Sequence, residues 1–248
     1  MLNIRNAALA AAFSGAVLTA ATSASAFVLG PTSPGKWDSP VFGTGATITW
    51  SVMASGLSLA GDAGVSVDLA TFMPAGFLAQ IQAAFDAWEA VANIDFTMVA
   101  DPGVGWLDAG ADTVDIRLTG HAFDGAGGIL AHGFYPPVNG GAAAGDIHFD
   151  TAETWKIGFG GAGFDIFQVA AHEIGHAIGL DHTGVPGSLM NPFYTEAFSG
   201  LQADDIAGAL FIYGAPVGVP EPAAISLLAI GLLGAGLARR RAAAGTRA

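Results

Sequence analysis

The chain has 248 residues, eight of them basic and 21 acidic, and no cysteine. Disulfides are thereby excluded, as is any thiolate that could block a metal. Between 27 and 218 only Lys36, Arg117 and Lys156 stand against 20 acidic residues, a balance of −17. That charge argues against nucleic acid and anionic membrane surfaces as partners, and it favours calcium.

Residues 1–26 read as a secretory signal peptide: Arg5, an Ala/Leu/Val-rich run, then Ala24-Ser25-Ala26 as a small-residue cleavage site. Phe27 then begins the mature protein, and 27–214 has the size of one domain with its own core. Residues 30–45, rich in Gly, Pro and Ser, read as an extended arm, and 47–53 alternate as a strand. The next twenty residues, through Gly61 and Gly64, read as loop. In 74–92, Leu78, Ile81, Phe85, Trp88 and Ala92 recur at three and four, which predicts an amphipathic helix with an aromatic stripe in the core. Residues 94–99 and 113–118 are further strands. The stretch 119–163 is dense in glycine yet holds three histidines, so it reads as structured loop, with short strands at 129–134 and 145–149. A helix follows from Asp165, its N-cap or first-turn acid, to Gly179, and another near 202–213. A linker, 215–222, contains Val219-Pro220-Glu221-Pro222. Sixteen uncharged, mostly apolar residues, 223–238, then precede Arg239-Arg240-Arg241. That run is slightly short for a spanning helix unless the arginines snorkel, and their position puts that end in the cytoplasm.

The chain is organised around His172, Glu173, His176, Gly179 and His182, spaced H-E-x-x-H-x-x-G-x-x-H. Histidines four apart face the same side of a helix, about 6 Å apart along its axis, and both can close on one metal. Glu173 can reach a water there without being a ligand. Gly179 can end the helix in a left-handed conformation, and the returning chain offers His182 as a third nitrogen. Three histidines with one position open is the coordination of a catalytic zinc. This string is similar to the zinc motif of the metzincins. Thr183 after the third histidine resembles the matrixin branch, and Ser188-Leu189-Met190-Asn191-Pro192-Phe193-Tyr194 resembles the Met-turn. Pro192 stands where the serralysin and astacin branches carry a tyrosine, which again favours matrixin. The resemblance covers about residues 36–214. It implies an α+β fold: a mixed, mostly parallel five-stranded sheet with three helices.

All six histidines lie between 121 and 182 and split three and three. Phe123-Asp124-Gly125-Ala126-Gly127-Gly128-Ile129-Leu130-Ala131-His132 resembles the matrixin segment that wraps a calcium and then offers a zinc ligand. The stretch from Gly145 through His148 to Trp155 resembles its partner. Carried over by position, Asp124, Asp150 and Glu153 give carboxylates to calcium, and Gly125, Gly127 and Ile129 give carbonyls, a set that suits a hard cation. Asp115 and Asp146 match positions near a second calcium. His121, His132 and His148 are implied as ligands of a structural zinc. Here the sequence departs from the family, whose histidine and aspartate lie on a longer loop that is cut to Thr119-Gly120-His121-Ala122. No certain fourth ligand is identified, although a structural zinc normally takes four.

The resemblance implies a zinc endopeptidase, with Glu173 as general base and Met190 beneath the metal. Leu130 and Ala131 would form the edge to which an extended protein or peptide adds as a strand. Pro192 and Tyr194 would wall the pocket after the cut. The chain's end resembles the PEP-CTERM sorting tail of Gram-negative bacteria. It implies signal peptidase and an exosortase-like enzyme as processing partners, and location at the cell surface, outer envelope or extracellular matrix. A monomer is expected. With no cysteine and about nine residues between Ala26 and Lys36, no inhibitory prodomain is expected. The freed amine of Phe27 would dock on Asp204, the first of two adjacent aspartates, while Asp205 braces the Met-turn. The competing reading is a non-catalytic, metal-stabilised protein that binds exopolysaccharide or another protein at the cell surface.

Overall fold

In the computed structural model, which describes residues 27–59, 61–62, 64–137 and 141–217, the chain enters as a two-residue strand, β1 (Val28–Leu29). After the Gly/Pro-rich arm it forms β2 (Ala46–Val52), where Ile48 and Trp50 turn into the core. A hairpin at 56–66 and a 3-10 turn at Leu69–Thr71 lead to α1 (Phe77–Glu89). Ile81, Ala84, Phe85 and Trp88 form its buried face, and Trp50 stacks on Phe85 at 4.6 Å between ring centroids. Leu78, expected on that face, is 37% exposed. The stripe enters the core only from the second turn, and Phe77 packs at the helix start instead.

β3 (Ile94–Met98), β4 (Ile116–His121), β5 (Ala131–Gly133) and β6 (Ile147–Asp150) complete a five-stranded sheet of order β3-β2-β4-β6-β5. Every pairing is parallel except the last, in which β5 runs antiparallel to β6 with His132 opposite His148. The sheet is thus mixed and mostly parallel, and β5 is its free edge. Arg117, fully buried on β4, is neutralised by Asp101 through two contacts of 2.8 and 2.9 Å.

A small parallel pair, β7 (Trp155–Lys156) with β8 (Phe164–Asp165), feeds α2 (Ile166–Ala177). Asp165 caps that helix by accepting from the Gln168 amide at 2.9 Å. Ten of its twelve residues are buried, and Trp88 of α1 donates its indole N–H to the Ala171 carbonyl at 2.9 Å. Gly179 follows at φ +108°, where a Cβ would collide with the Gly35 carbonyl oxygen. No other residue satisfies both conditions. The chain then forms β9 (Leu180–Asp181), which pairs antiparallel with β1, and ends in α3 (Ala203–Tyr213). Three helices and this sheet make the α+β architecture that the sequence predicts. Among the described residues no helix is long and apolar enough to cross a membrane. The expected signal peptide 1–26, most of the expected linker 215–222, and the expected sorting tail 223–248 lie outside the described residues.

Candidate active site and metal centres

α2 presents His172 and His176 one turn apart, and the reversal at Gly179 returns His182 to face them. The Nε2 atoms of His172 and His182 are 3.2 Å apart, as are those of His176 and His182. Both helix histidines donate Nδ1–H to a main-chain carbonyl: His172 to Leu189 at 2.7 Å, His176 to Leu180 at 2.8 Å. Those bonds fix the tautomer that leaves the Nε2 lone pair free. Burial holds both rings neutral, pushing their pKa values down to about 3 and about 4. A tetrahedral zinc with bonds of ~2.0 Å has ligands ~3.3 Å apart, so the three nitrogens fit that ion and leave one face open.

Glu173 lies beside this face. It is 6% exposed, and burial pushes its carboxyl up to about 8 against the opposing effect of the Gly133 amide. A buried carboxylate with this proton affinity suits a base working near neutrality. Gly133 is needed there, because a Cβ would lie 2.6 Å from the Glu173 carbonyl oxygen. A cleft of ≈ 440 Å³ opens over Glu173, His172 and His182. Leu130 and Ala131 border it on the β5 side, and Pro192, Phe193 and Tyr194 border it opposite. Gln168, on α2, also lines it. Gln168 is tied by its side chain to the Phe198 carbonyl at 3.3 Å and the Gly200 amide at 2.9 Å. Tyr194 receives the Asp165 amide at 2.9 Å and donates to Glu196 at 2.8 Å, which sets the wall of the cleft.

Met190 is buried beneath the metal-facing helix, its sulfur filling the space that a side chain on Gly175 would occupy. Its carbonyl receives the Thr183 amide at 3.0 Å. Asp205, 1% exposed, accepts from the Ser188 hydroxyl at 2.5 Å, the Leu189 amide at 2.8 Å, the Met190 amide at 3.0 Å and the Gln202 amide at 2.8 Å. One carboxylate thus ties α3 to the turn whose Leu189 carbonyl orients His172.

The other three histidines also converge. His132 Nε2 lies 3.2 Å from His148 Nδ1, and His121 closes the group from the end of β4. A fourth residue joins them that the sequence reading missed: Asp62 Oδ2 is 2.7 Å from His148 Nδ1, 3.0 Å from His132 Nε2 and 3.1 Å from His121 Nε2. A lone acid in a Gly/Ala-rich loop carries no spacing signal. The unfilled fourth position was the only pointer to it.

The calcium-type loop is partly closed on itself. Asp124 accepts from the Ile129 amide at 3.1 Å, and Glu153 from the Gly127 amide at 2.6 Å. Asp150 accepts through Oδ1 from Phe123 and Ala152, while its buried Oδ2 has no hydrogen-bond partner among the described residues. That orphaned oxygen is what a cation would satisfy. Gly125 and Gly127 hold the loop open at φ +91° and +86°, and Ile129 borders the cleft. Asp115 is occupied by Thr49, accepting from its amide at 2.8 Å and its hydroxyl at 2.7 Å. Asp146 is fully buried, accepts from the Arg117 amide at 2.8 Å, and has its carboxyl pushed well up by burial. Among the described residues, the two histidine groups are the only ones that bring three or more His, Asp or Glu donor atoms within 4.8 Å of one another. Neither Asp115 and Asp146 nor Asp124, Asp150 and Glu153 form such a group through their side chains alone. At the start of the described residues, Phe27 packs against Gly208, one helical turn from Asp204 on α3.

Residues 68–214, more than half of the chain, match the family model described as Matrixin. Karilysin of Tannerella forsythia is 38% identical over 153 residues, 58% of this chain and 30% of its own length. Stromelysin-3 of Xenopus laevis is 42% identical over 143 residues, 55% and 28%. Matrix metalloproteinase-16 of Homo sapiens is 39% identical over 155 residues, 57% and 24%. The matches thus span less than a third of these relatives' own length. With the match running from the β2–α1 segment through the Met-turn to the end of α3, the chain belongs to the matrixin family.

Proposed function

We propose that this chain is an exported, zinc-dependent endopeptidase with Glu173 as its general base. The observation that carries the reading is the pairing of three Nε2 atoms, open on one side, with a buried carboxylate at the floor of a cleft along a free sheet edge. His172, His176 and His182 would hold the zinc, which when bound would supply Lewis-acid polarisation of the scissile carbonyl and acidify water. Glu173 takes the proton of the attacking water and returns it to the departing amine nitrogen. An extended peptide pairs along the sheet edge at Leu130 and Ala131, where β5 begins, which aligns its backbone across that base. The residue after the cut enters between Pro192, Phe193 and Tyr194. Met190 shapes the ligand cradle and takes no part in the chemistry.

Calcium at Asp124, Asp150 and Glu153, with carbonyls from Gly125, Gly127 and Ile129, holds the loop that leads into β5. An ion at roughly 100 times its dissociation constant adds about 2.7 kcal/mol. A calcium-selective chelator is therefore expected to lower the melting temperature by roughly 5–10 °C. An unchanged melting temperature contradicts the site. At the second pair, Asp146 Oδ2 is likewise buried without a hydrogen-bond partner among the described residues, whereas Asp115 is engaged by Thr49.

Residues 1–26 support export and 223–248 support surface sorting, with the tail removed by an exosortase-like enzyme. The packing of Phe27 near Asp204 supports docking of the freed amine. One added residue ahead of Phe27 and Asp204→Asn are then expected to slow turnover by similar factors, without additivity. Equal rates for the extended and native starts contradict docking.

A metal-stabilised surface binding protein is the second reading, but a binding role has no use for a base beside an open metal face. A mixed peptide library, analysed by mass spectrometry, separates the two. The peptidase reading expects internal cuts, and a library left intact by zinc-loaded protein favours the binding reading.

A further inference from the structure

Asp62 lies at the tip of the 56–66 hairpin. There the Gly56 amide donates to Ser66 at 2.8 Å, Leu59 to Gly64 at 3.1 Å, and Asp62 itself to Leu59 at 3.0 Å. The base is tied to β4, with Val67 and Gly120 exchanging hydrogen bonds of 2.8 and 2.9 Å. The flank is held by Leu59, buried with Met53, Trp106 and Ala143 in a cluster separate from the main core. At the tip, Asp62 reaches three other segments: the end of β4, β5 and β6.

The contacts at that tip are crowded for hydrogen bonds alone. One carboxylate oxygen offers about two lone pairs, yet Asp62 Oδ2 meets three imidazole nitrogens within 3.1 Å. Two of those nitrogens also lie 3.2 Å from each other, where two N–H groups would point at one space. The separations of 2.7–3.2 Å instead approach the ~3.3 Å edges of a tetrahedron with ~2.0 Å metal–ligand bonds. Three nitrogens and one carboxylate, with no side left open, make the closed set of a structural zinc.

We propose that Asp62 is the fourth ligand of a zinc held by His121, His132 and His148, and that this zinc staples the tip of the 56–66 hairpin to the sheet-edge strand β5. A loop 59 residues ahead of His121 in sequence thereby completes the site. The staple bears on substrate as well, a consequence that rests on the peptidase reading: His132 sits between Ala131 and Gly133, and the Gly133 amide faces Glu173.

The test uses the full chain carrying Glu173→Ala, so that self-cleavage does not intrude, loaded with zinc and calcium. Zinc content is measured by mass spectrometry after dialysis against a weak chelator, and hydrogen exchange is followed in 56–66. The parent is expected to keep two zinc ions per chain. Asp62→Asn is expected to keep one, with the second bound at least roughly tenfold more weakly and exchange in 56–66 faster by a similar factor. Asp62→His, which offers a nitrogen ligand, is expected to restore both. Asn preserves the shape of Asp and still accepts a hydrogen bond, so a purely hydrogen-bonded tip expects no change. Two zinc ions in Asp62→Asn with unchanged exchange would overturn the proposal, as would a single zinc in the parent. Neither readout depends on hydrolysis, so failure of the peptidase reading remains a separate result.

Discussion

Glu173→Ala is expected to lower kcat/KM by roughly 10²–10⁴, the range for loss of a positioned general base, while leaving zinc at the three-histidine site. The separation follows from the geometry. The ligand nitrogens are oriented by the carbonyls of Leu189 and Leu180, and none of them depends on the Glu173 carboxylate. That carboxylate is buried, with only the Gly133 amide opposing its upward shift. Alanine removes the base and leaves a small apolar pocket beside the open face. Zinc stoichiometry and peptide turnover, measured on the same preparation, check this. Loss of zinc from the variant would make Glu173 a ligand and remove it as the base.

Asp205→Ala is expected to cost about 3–5 kcal/mol of stability, because it strands several buried donors at once. Four groups converge on that carboxylate, three from the Met-turn and one from the start of α3. Thermal unfolding should shift by roughly 6–20 °C for a domain of this size. The effect should also reach the metal. With the Leu189 amide released, its carbonyl no longer fixes the His172 ring, and zinc should bind roughly 10–100-fold more weakly. A role confined to capping α3 predicts about 1 kcal/mol and no change in zinc affinity. Denaturation and zinc competition together distinguish the two.

What could be read from the chain follows from how local each signal is. His172, His176 and Gly179 belong to one helix and its stop, so spacing alone placed two ligands and the reversal that delivers His182. The order of the sheet's five strands and the three helices was legible from their patterns, whereas the two-residue strands β1, β7, β8 and β9 are too short to show a period, and Asp165 was legible as a cap from its position before an apolar run. Leu78 shows the limit of periodicity: the pattern marks a face of the helix but not how far along it the core extends. Asp62 shows a different limit. Its partners arrive from β4, β5 and β6 through parallel crossovers and a hairpin, and no short-range pattern encodes that meeting. The loop acids fall between. Asp124, Asp150 and Glu153 were found by resemblance, and the structure adds which oxygens are engaged by amides and that Asp150 Oδ2 is not.

On the proposed function, an ion held by His172, His176 and His182 makes this chain cut peptide bonds. The most direct measurement follows zinc content and cleavage of a defined peptide together, as a chelator strips the metal and added zinc returns it. His182→Ala is carried alongside. Cleavage is expected to fall and recover in step with zinc at the three-histidine site, and to be lost with that zinc in His182→Ala. Cleavage that persists after the site is emptied, or a fully zinc-loaded chain that cuts nothing, would contradict the account.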